Sequence, residues 1–344
     1  MKGIVFTGDK KLELRDFPDP TPGPREVILE IKASGMSGTD LGAYRRAADA
    51  ITEATMVIAG HEPCGIVAEV GSAVTESEAR VGQRVMDHHY DGCGHCRHCK
   101  TGWTQSCVEG AIVYGNRGGN GAHAKYMKVP AHTVVPLPDE ISFQSGAAIA
   151  CGTGTAYGAL KRVNLEGDET IAIFGQGPVG LSGTQLAAAM GARVIAVDLS
   201  AERREMALAR GADAVIDPAA DDPVQAIRDL THGEGADKTI DCTSSSEARR
   251  NTFLSNRIFG TAAIVVVGGD VTIEMMPEFI RRQTTLIWHQ TFSKVGQADC
   301  ARFIADRKID IDSLFTHKWT LDQAEEAYDL FDQQKTGKGF FEPS

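Results

Sequence analysis

The hydrophobic positions of this chain change rhythm near residue 145. Before it, apolar residues come in short runs at 2–6, 12–16, 26–33, 65–71 and 83–86, broken by glycine and proline. Gly8-Asp9 marks a turn, and Pro18 to Pro24 is a proline-rich connection. Short runs bounded by turn residues predict strands of a compact, partly closed β domain. After residue 145, apolar runs alternate with helical ones, the pattern of a doubly wound α/β sheet. Its strands are predicted at 170–173, 193–197, 214–217, 238–242, 262–267 and 285–288. Six is the number that two mononucleotide-binding halves require. Toward the end, Leu321, Ala324, Ala327, Tyr328 and Phe331 share one face of an amphipathic helix. A short basic strand over 337–341 follows it. No internal repeat or low-complexity segment interrupts this order.

The stretch Phe174-Gly175-Gln176-Gly177-Pro178-Val179-Gly180 lies between the 170–173 strand and a helical run. Gly175, Gly177 and Gly180 match G-x-G-x-x-G, a pattern that acquires meaning in this strand–turn–helix–strand setting. A bound dinucleotide needs a tight turn, a backbone bare enough for its pyrophosphate to touch, and close helix–strand packing. The helix N-terminus supplies free N–H groups and a positive dipole end. The next strand ends on Asp198, a carboxylate suited to the ribose hydroxyls of NAD and repulsive to the 2′-phosphate of NADP. Arg203 and Arg204 could meet such a phosphate, but they fall on a helical run where a solvated face also accounts for them. The expectation is an NAD site formed by Gly175, Gly177, Pro178, Val179, Gly180 and Asp198, with Arg203, Cys242, Thr243 and Val267 assigned to the same coenzyme-contacting set.

The 344 residues carry a net charge of −11, with 42% hydrophobic and 24% charged positions. These are proportions of a soluble globular protein. No basic block offsets the negative charge, which argues against nucleic acid or an anionic membrane as partner. No apolar run reaches bilayer-spanning length, and the first residues lack the apolar segment of a secretory signal. A cytoplasmic location is expected.

Four of the eight cysteines crowd into one loop, at Cys93, Cys96, Cys99 and Cys107. Four thiolates satisfy tetrahedral Zn²⁺ with no open position, the mark of a structural site. Gly92, Gly94 and Gly102 permit the sharp turns, and His95 and His98 are read as loop residues, because the thiolates already fill the coordination sphere. His88 and His89 are read as structural residues on a strand. Cys64, Cys242 and Cys300 read as small buried hydrophobes.

Taken in order, Gly38-Thr39-Asp40-Leu41, Gly60-His61-Glu62, the cysteines at 93–107, Cys151-Gly152-Thr153-Gly154-Thr155, the glycine turn, Asp198 and Gly337-Lys338-Gly339 resemble the zinc-containing alcohol dehydrogenases of the medium-chain dehydrogenase/reductase superfamily. The likeness spans essentially the whole chain and is closest to bacterial secondary-alcohol, polyol and threonine dehydrogenases. It implies a GroES-like β-rich catalytic domain from 1–150 and 291–344, with a structural zinc lobe at about 91–108, and a Rossmann NAD-binding domain from 151–290. It implies a small alcohol or ketone substrate, a homodimer or homotetramer pairing near 265–273, and a second, catalytic zinc acting as a Lewis acid while hydride passes to the nicotinamide. By the same resemblance His61 and Cys151 are zinc ligands, Asp40 orients the ligand histidine, Thr39 passes the alcohol proton outward, and Thr155 packs against the nicotinamide. Met36, Tyr44, Trp288 and His289 are candidates for the substrate pocket, though core or loop packing accounts for each as well. Arg45 and Arg46 could face an anionic substrate group or simply solvent.

Two positions depart from the family pattern. Ser37 stands where the first zinc-binding cysteine is expected, and a neutral hydroxyl is a poor ligand for zinc. Gly42 stands where a histidine commonly ends the proton relay. Ser37 could be an introduced Cys→Ser change, a natural variant whose zinc is held by His61, Cys151 and Glu62, or a sign that the catalytic zinc is lost while the structural one persists. The last case would fit a reductase of C=C or C=N bonds.

Overall fold

The computed structural model describes residues 1–266 and 268–343. The chain forms two compact units, one from Met1–Gly154 with Phe292–Ser344, the other from Thr155–Thr291. Val267, assigned above to the coenzyme set, lies outside the described residues.

The first unit is built on the strand Glu26–Gly35. It pairs antiparallel with Pro63–Val70, Tyr126–Pro130 and Lys338–Phe341. Arg84–Asp87 and Val134–Pro136 extend the sheet on one side and Phe315–Trp319 on the other, making seven strands. Val27, Leu29 and Ile31 alternate along the central strand and meet Val67, Val85, Met127 and Val129 in one core cluster. Each such side chain contributes about 1.5–3 kcal/mol on full burial. The register sets Ser34 opposite both Pro63 and Phe341, and Gly35 opposite Phe340. Residues 36–40, 61–62 and 338 are thereby delivered to one end of the sheet.

The amphipathic tail is shorter than its sequence pattern suggested. A single 3₁₀ turn, Leu321–Gln323, precedes the helix Ala324–Asp332, which buries Ala324, Ala327, Tyr328 and Phe331. The Thr320–Gln323 capping box holds that turn apart from the helix. The short basic strand after it spans Lys338–Phe341 and is buried at every position. His88 and His89 lie between the strands Arg84–Asp87 and Tyr90–Asp91 rather than on one.

The second unit holds a six-stranded parallel sheet in the spatial order Ala214–Ile216, Arg193–Val197, Thr170–Phe174, Ala236–Asp241, Asn256–Ile264 and Thr285–Trp288. In chain order this is 3-2-1-4-5-6, the doubly wound arrangement. Phe174, Ile195, Val197, Ile216 and Ile227 pack one of its faces. The fifth strand begins at Asn256, earlier than its apolar run. A register shift against Ala236–Lys238 accommodates residues with no alternating pattern, including Phe259 at φ +63°. Among the described residues no helix is long and apolar enough to cross a membrane.

Candidate active site

In the second unit the three motif glycines do three different things. Gly175 has φ +84°, and a Cβ there would stand 2.7 Å from Thr243 Cγ2. A Cβ on Gly180 would lie 1.7 Å from the Gly175 carbonyl oxygen, which is close helix–strand packing that excludes any side chain. A Cβ on Gly177 would meet nothing within 4 Å. Gly177 caps the helix Pro178–Met190, with Pro178 in the first turn where a missing N–H costs nothing. Bare backbone facing open space at a helix N-terminus fits a pyrophosphate. Asp198 is buried, and its carboxylate accepts from the backbone N–H groups of Gln176 (2.6 Å) and Ser200 (2.8 Å). Two such donors fix its orientation at the strand end and leave lone pairs for ribose hydroxyls. Arg203 is half-buried on the helix Ala201–Ala209. Arg204 is committed elsewhere, to Asp217 at 2.9 Å and to the carbonyls of Asp198 and Leu199. Cys242 and Thr243 follow the central strand beside the turn, where the Cys242 N–H donates to Phe174 O and the Thr243 hydroxyl to Asp241. Cys242 is half-buried rather than fully buried like Cys64 and Cys300.

In the first unit, Cys93, Cys96, Cys99 and Cys107 bring their sulfurs within 4.8 Å of one another. Backbone N–H groups point at them: Cys93 N–H to Cys107 Sγ at 3.3 Å and Cys96 N–H to Cys93 Sγ at 3.4 Å. The N–H groups of Cys99 and Val108 pull the Cys96 thiol down to about 6. Four convergent sulfurs, with donors placed to stabilise thiolates, fit a closed zinc site. His95 has Nδ1 2.8 Å from the Cys93 carbonyl and Nε2 2.7 Å from Glu109.

The second constellation is His61, Glu62 and Cys151, whose ligand atoms also converge within 4.8 Å. Cys151 follows the helix Phe143–Ile149 and its cap Ala150. His61 and Glu62 follow Gly60, whose φ of +93° turns the chain just before them. His61 is buried, with Nδ1 2.9 Å from Asp40 Oδ1, which leaves Nε2 for the other two side chains. Burial disfavours an imidazolium, yet the charges of Asp40 and Cys151 prevail and hold His61 well above its usual range. Burial likewise disfavours ionised Asp40, but His61 keeps its carboxyl below the ordinary value. Glu62 goes the other way: burial raises it despite Lys338 and His61. Its Oε2 pairs with Lys338 Nζ, which also donates to Met36 O at 2.9 Å, while its Oε1 is buried without a hydrogen-bond partner among the described residues. Asp40, Glu62 and Cys151 lie together around His61, with Lys338 paired to Glu62. An orphaned carboxylate oxygen, an imidazole with one nitrogen spare and a sulfur suit a zinc ion.

Ser37 is the N-cap of the helix Gly38–Tyr44. Its Oγ accepts from Thr39 N–H at 3.3 Å, and its own N–H donates to Asp40 Oδ2 at 2.8 Å. Thr39 and Gly42 are exposed, and a side chain at 42 would stand in open space. Thr155 is buried near the start of the helix Gly152–Arg162. Met36 and Tyr44 belong to a core cluster, Trp288 is 55% exposed, and His289 is buried. Arg45 pairs with Asp332 at 2.5 Å, so it is not held free for an anionic substrate. Sequence reasoning missed Lys338 as the partner of Glu62. Its signal was a lone lysine between two glycines in an otherwise apolar strand. It also missed the proximity of His89, whose ring centre is 5.1 Å from that of His61 and whose cation burial suppresses.

Comparison with known proteins agrees with this architecture. Residues 23–139 match the alcohol dehydrogenase GroES-like domain, and residues 178–304 match the zinc-binding dehydrogenase family. An uncharacterized zinc-type alcohol dehydrogenase-like protein of Escherichia coli (strain K12) is 33% identical over 98% of this chain and 97% of its own length. L-galactonate-5-dehydrogenase of the same organism is 29% identical over 98% of both. The crystal structure of a zinc-binding dehydrogenase of Sinorhizobium meliloti 1021, bound to NADP, superposes with a TM-score of 0.89 at 26% identity over 99% of each chain. The chain belongs to the zinc-type alcohol dehydrogenases of the medium-chain dehydrogenase/reductase superfamily, and it is an oxidoreductase of that kind.

Proposed function

We propose that this protein is an NAD-dependent oxidoreductase that interconverts a secondary alcohol or polyol with its ketone, as a cytoplasmic homodimer or homotetramer. The observation that carries the reading is the orphaned, buried Oε1 of Glu62 beside His61 and Cys151. These three residues would hold the catalytic zinc, with Glu62 replacing the cysteine that Ser37 does not supply. The zinc, when bound, supplies a Lewis acid for the substrate oxygen, and NAD supplies the hydride acceptor. Asp40 fixes the His61 tautomer, Lys338 compensates the Glu62 charge, and the exposed Thr39 hydroxyl takes the alcohol proton outward. Activity on a sugar acid in one relative supports the polyol class. Asp198 supports NAD, in contrast with the structural relative solved with NADP. For assembly, the described residues of 265–273 belong to no strand. Thr285–Trp288 is one of the two edge strands of the parallel sheet, and there we place the subunit contact.

A second reading follows from Ser37, whose hydroxyl is engaged in capping its helix: a zinc-free reductase of C=C or C=N bonds using NADH. Metal counting separates the two. Two zinc ions per chain and a lower KM for NAD than for NADP support the dehydrogenase. One zinc ion, with ketone reduction absent, supports the reductase. Ser37→Cys should then raise zinc content and alcohol oxidation only in the second case.

A further inference from the structure

The carboxyl end of the parallel sheet carries a buried ion pair that the reaction as described does not use. Asp241 ends the strand Ala236–Asp241, and Arg249 sits on the helix Ser246–Leu254 that follows it. Their side chains are both 0% exposed, with Arg249 Nε 2.9 Å from Asp241 Oδ2. The guanidinium reaches two neighbouring strands as well. Its Nη1 lies 3.5 Å from Asp270 O, in the segment after Asn256–Ile264. Its Cζ lies 5.7 Å from the ring centre of Trp288, which ends Thr285–Trp288. The register explains this convergence: Asp241 pairs with Ile264, and Ile264 with Trp288, so all three strand ends stand at one level. Gly269 is bare where it passes the guanidinium, since a Cβ there would stand 3.1 Å from Nη1. The helix makes a second tie to this segment through Ser246 Oγ, which donates to Asp270 Oδ1 at 2.6 Å.

The other carboxylate oxygen of Asp241 extends the pair to the glycine turn. Oδ1 accepts from the Thr243 N–H at 2.8 Å and from the Thr243 hydroxyl at 2.7 Å. Thr243 Cγ2 in turn covers Gly175, lying 2.7 Å from where a Cβ would stand. The contacts run unbroken from Arg249 to the turn. A buried ion pair adds little net stability over apolar side chains of the same volume. Nη2 finds no hydrogen-bond partner among the described residues, which adds to the cost of burying this guanidinium. What an arginine supplies here is geometry: a planar fork with fixed donor directions.

We propose that Arg249 is a positioning residue for the coenzyme, a clamp that sets segments 242–243 and 268–270 at the carboxyl end of the sheet. This rests on the reading of Gly175, Gly177 and Gly180 as the NAD turn. In a doubly wound sheet the dinucleotide lies across the carboxyl ends of the strands, one mononucleotide on each half. With the adenosine ribose at Asp198 on the first half, the nicotinamide half falls to the strands that Arg249 joins. Once loosened, these segments must be ordered again on binding, which for two side chains amounts to roughly 10-fold in affinity.

The test titrates full-length wild type and variants with NADH, followed by fluorescence, and with AMP, which carries the adenosine half alone. Arg249→Met should weaken NADH binding roughly 10-fold or more and AMP binding by less than about threefold. Arg257→Met breaks the ion pair with Asp237, at 2.5 Å, that joins the amino ends of the strands Ala236–Asp241 and Asn256–Ile264. It should change neither affinity beyond about twofold. Equal weakening of NADH and AMP in Arg249→Met would assign the effect to general loosening of the unit and overturn the proposal, as would unchanged NADH affinity. Loss of NADH affinity in Arg257→Met as large as in Arg249→Met would overturn it too. If Arg249→Met does not fold, its combination with Asp241→Asn decides, because removing both charges avoids an unpaired buried carboxylate. Selective loss of NADH affinity there supports the clamp, and its absence overturns it. A wild-type protein that binds neither NADH nor AMP overturns the coenzyme reading itself, a result distinct from a binding wild type matched by its variants.

Discussion

The four cysteines at 93–107 sit half-exposed on one loop, whereas His61, Glu62 and Cys151 come from two separate parts of the chain and their surroundings are buried. In the lobe, backbone N–H groups of the loop itself stabilise the sulfurs. In the second site every charge is answered by a side chain from elsewhere: Asp40 behind His61, and Lys338 behind Glu62. A closed set of identical ligands needs little beyond local geometry. A site with a position to spare for substrate needs its charges balanced and its ligands braced from outside. The difference teaches where each site is fragile: the lobe to loss of a ligand, the buried site to loss of its supports as well.

The largest effect that sharpens this contrast is His61→Ala. It should lower kcat/KM at least about 100-fold, beyond what loss of a group behind a ligand costs, while thermal unfolding changes far less. Steady-state kinetics beside a melting curve would show it; a large fall in melting temperature would blur the contrast. The reverse split is expected for Cys99→Ser in the lobe. Its melting temperature should fall by about 5–10 °C, with kcat per folded, metal-loaded molecule within about threefold of wild type, because closed zinc sites contribute to folding rather than chemistry. Calorimetry with matched assays would check it, and lost activity at full stability would break the comparison.

A smaller effect probes the strand Arg84–Asp87, which leads from the sheet toward both sites. Burial pushes the Asp87 carboxyl up to about 7, against the hydrogen bond from Thr133. Its folded value lies above its unfolded one, so its contribution is full below about pH 4 and is lost as pH rises through about 7, at up to about 1.4 kcal/mol per pH unit. Asp87→Asn should leave stability at pH 4 nearly unchanged and raise it above pH 7. Urea unfolding across that range would measure the slope. An identical pH profile in the variant would show that Asp87 titrates normally.

Much of the architecture was legible because it is periodic or local. The six parallel strands, the glycine turn and the cysteine lobe are each written in consecutive residues. The early start of the Asn256–Ile264 strand was not, since a bulge carries residues with no alternation. In the active site, His61 and Asp40 stand in short motifs and could be read. Lys338 could not be placed, because its partner Glu62 lies 276 residues away. Tyr328 reads as a helix-face aromatic, and nothing local joins it to His123, 205 residues away. Long-range register brings these groups together, and register of a strand with its neighbours is not carried by either strand's own sequence.

The interleaving of the two units has a consequence for how the protein is made. Residues 292–343, which supply Tyr328 and Lys338, leave the ribosome only after the whole second unit has been synthesised. Until then Glu62 lacks its counter-ion. The nucleotide-binding unit can fold while translation continues, but the reactive pocket cannot close its charges. A chain truncated before Lys338 would leave Glu62 without the ammonium that faces it.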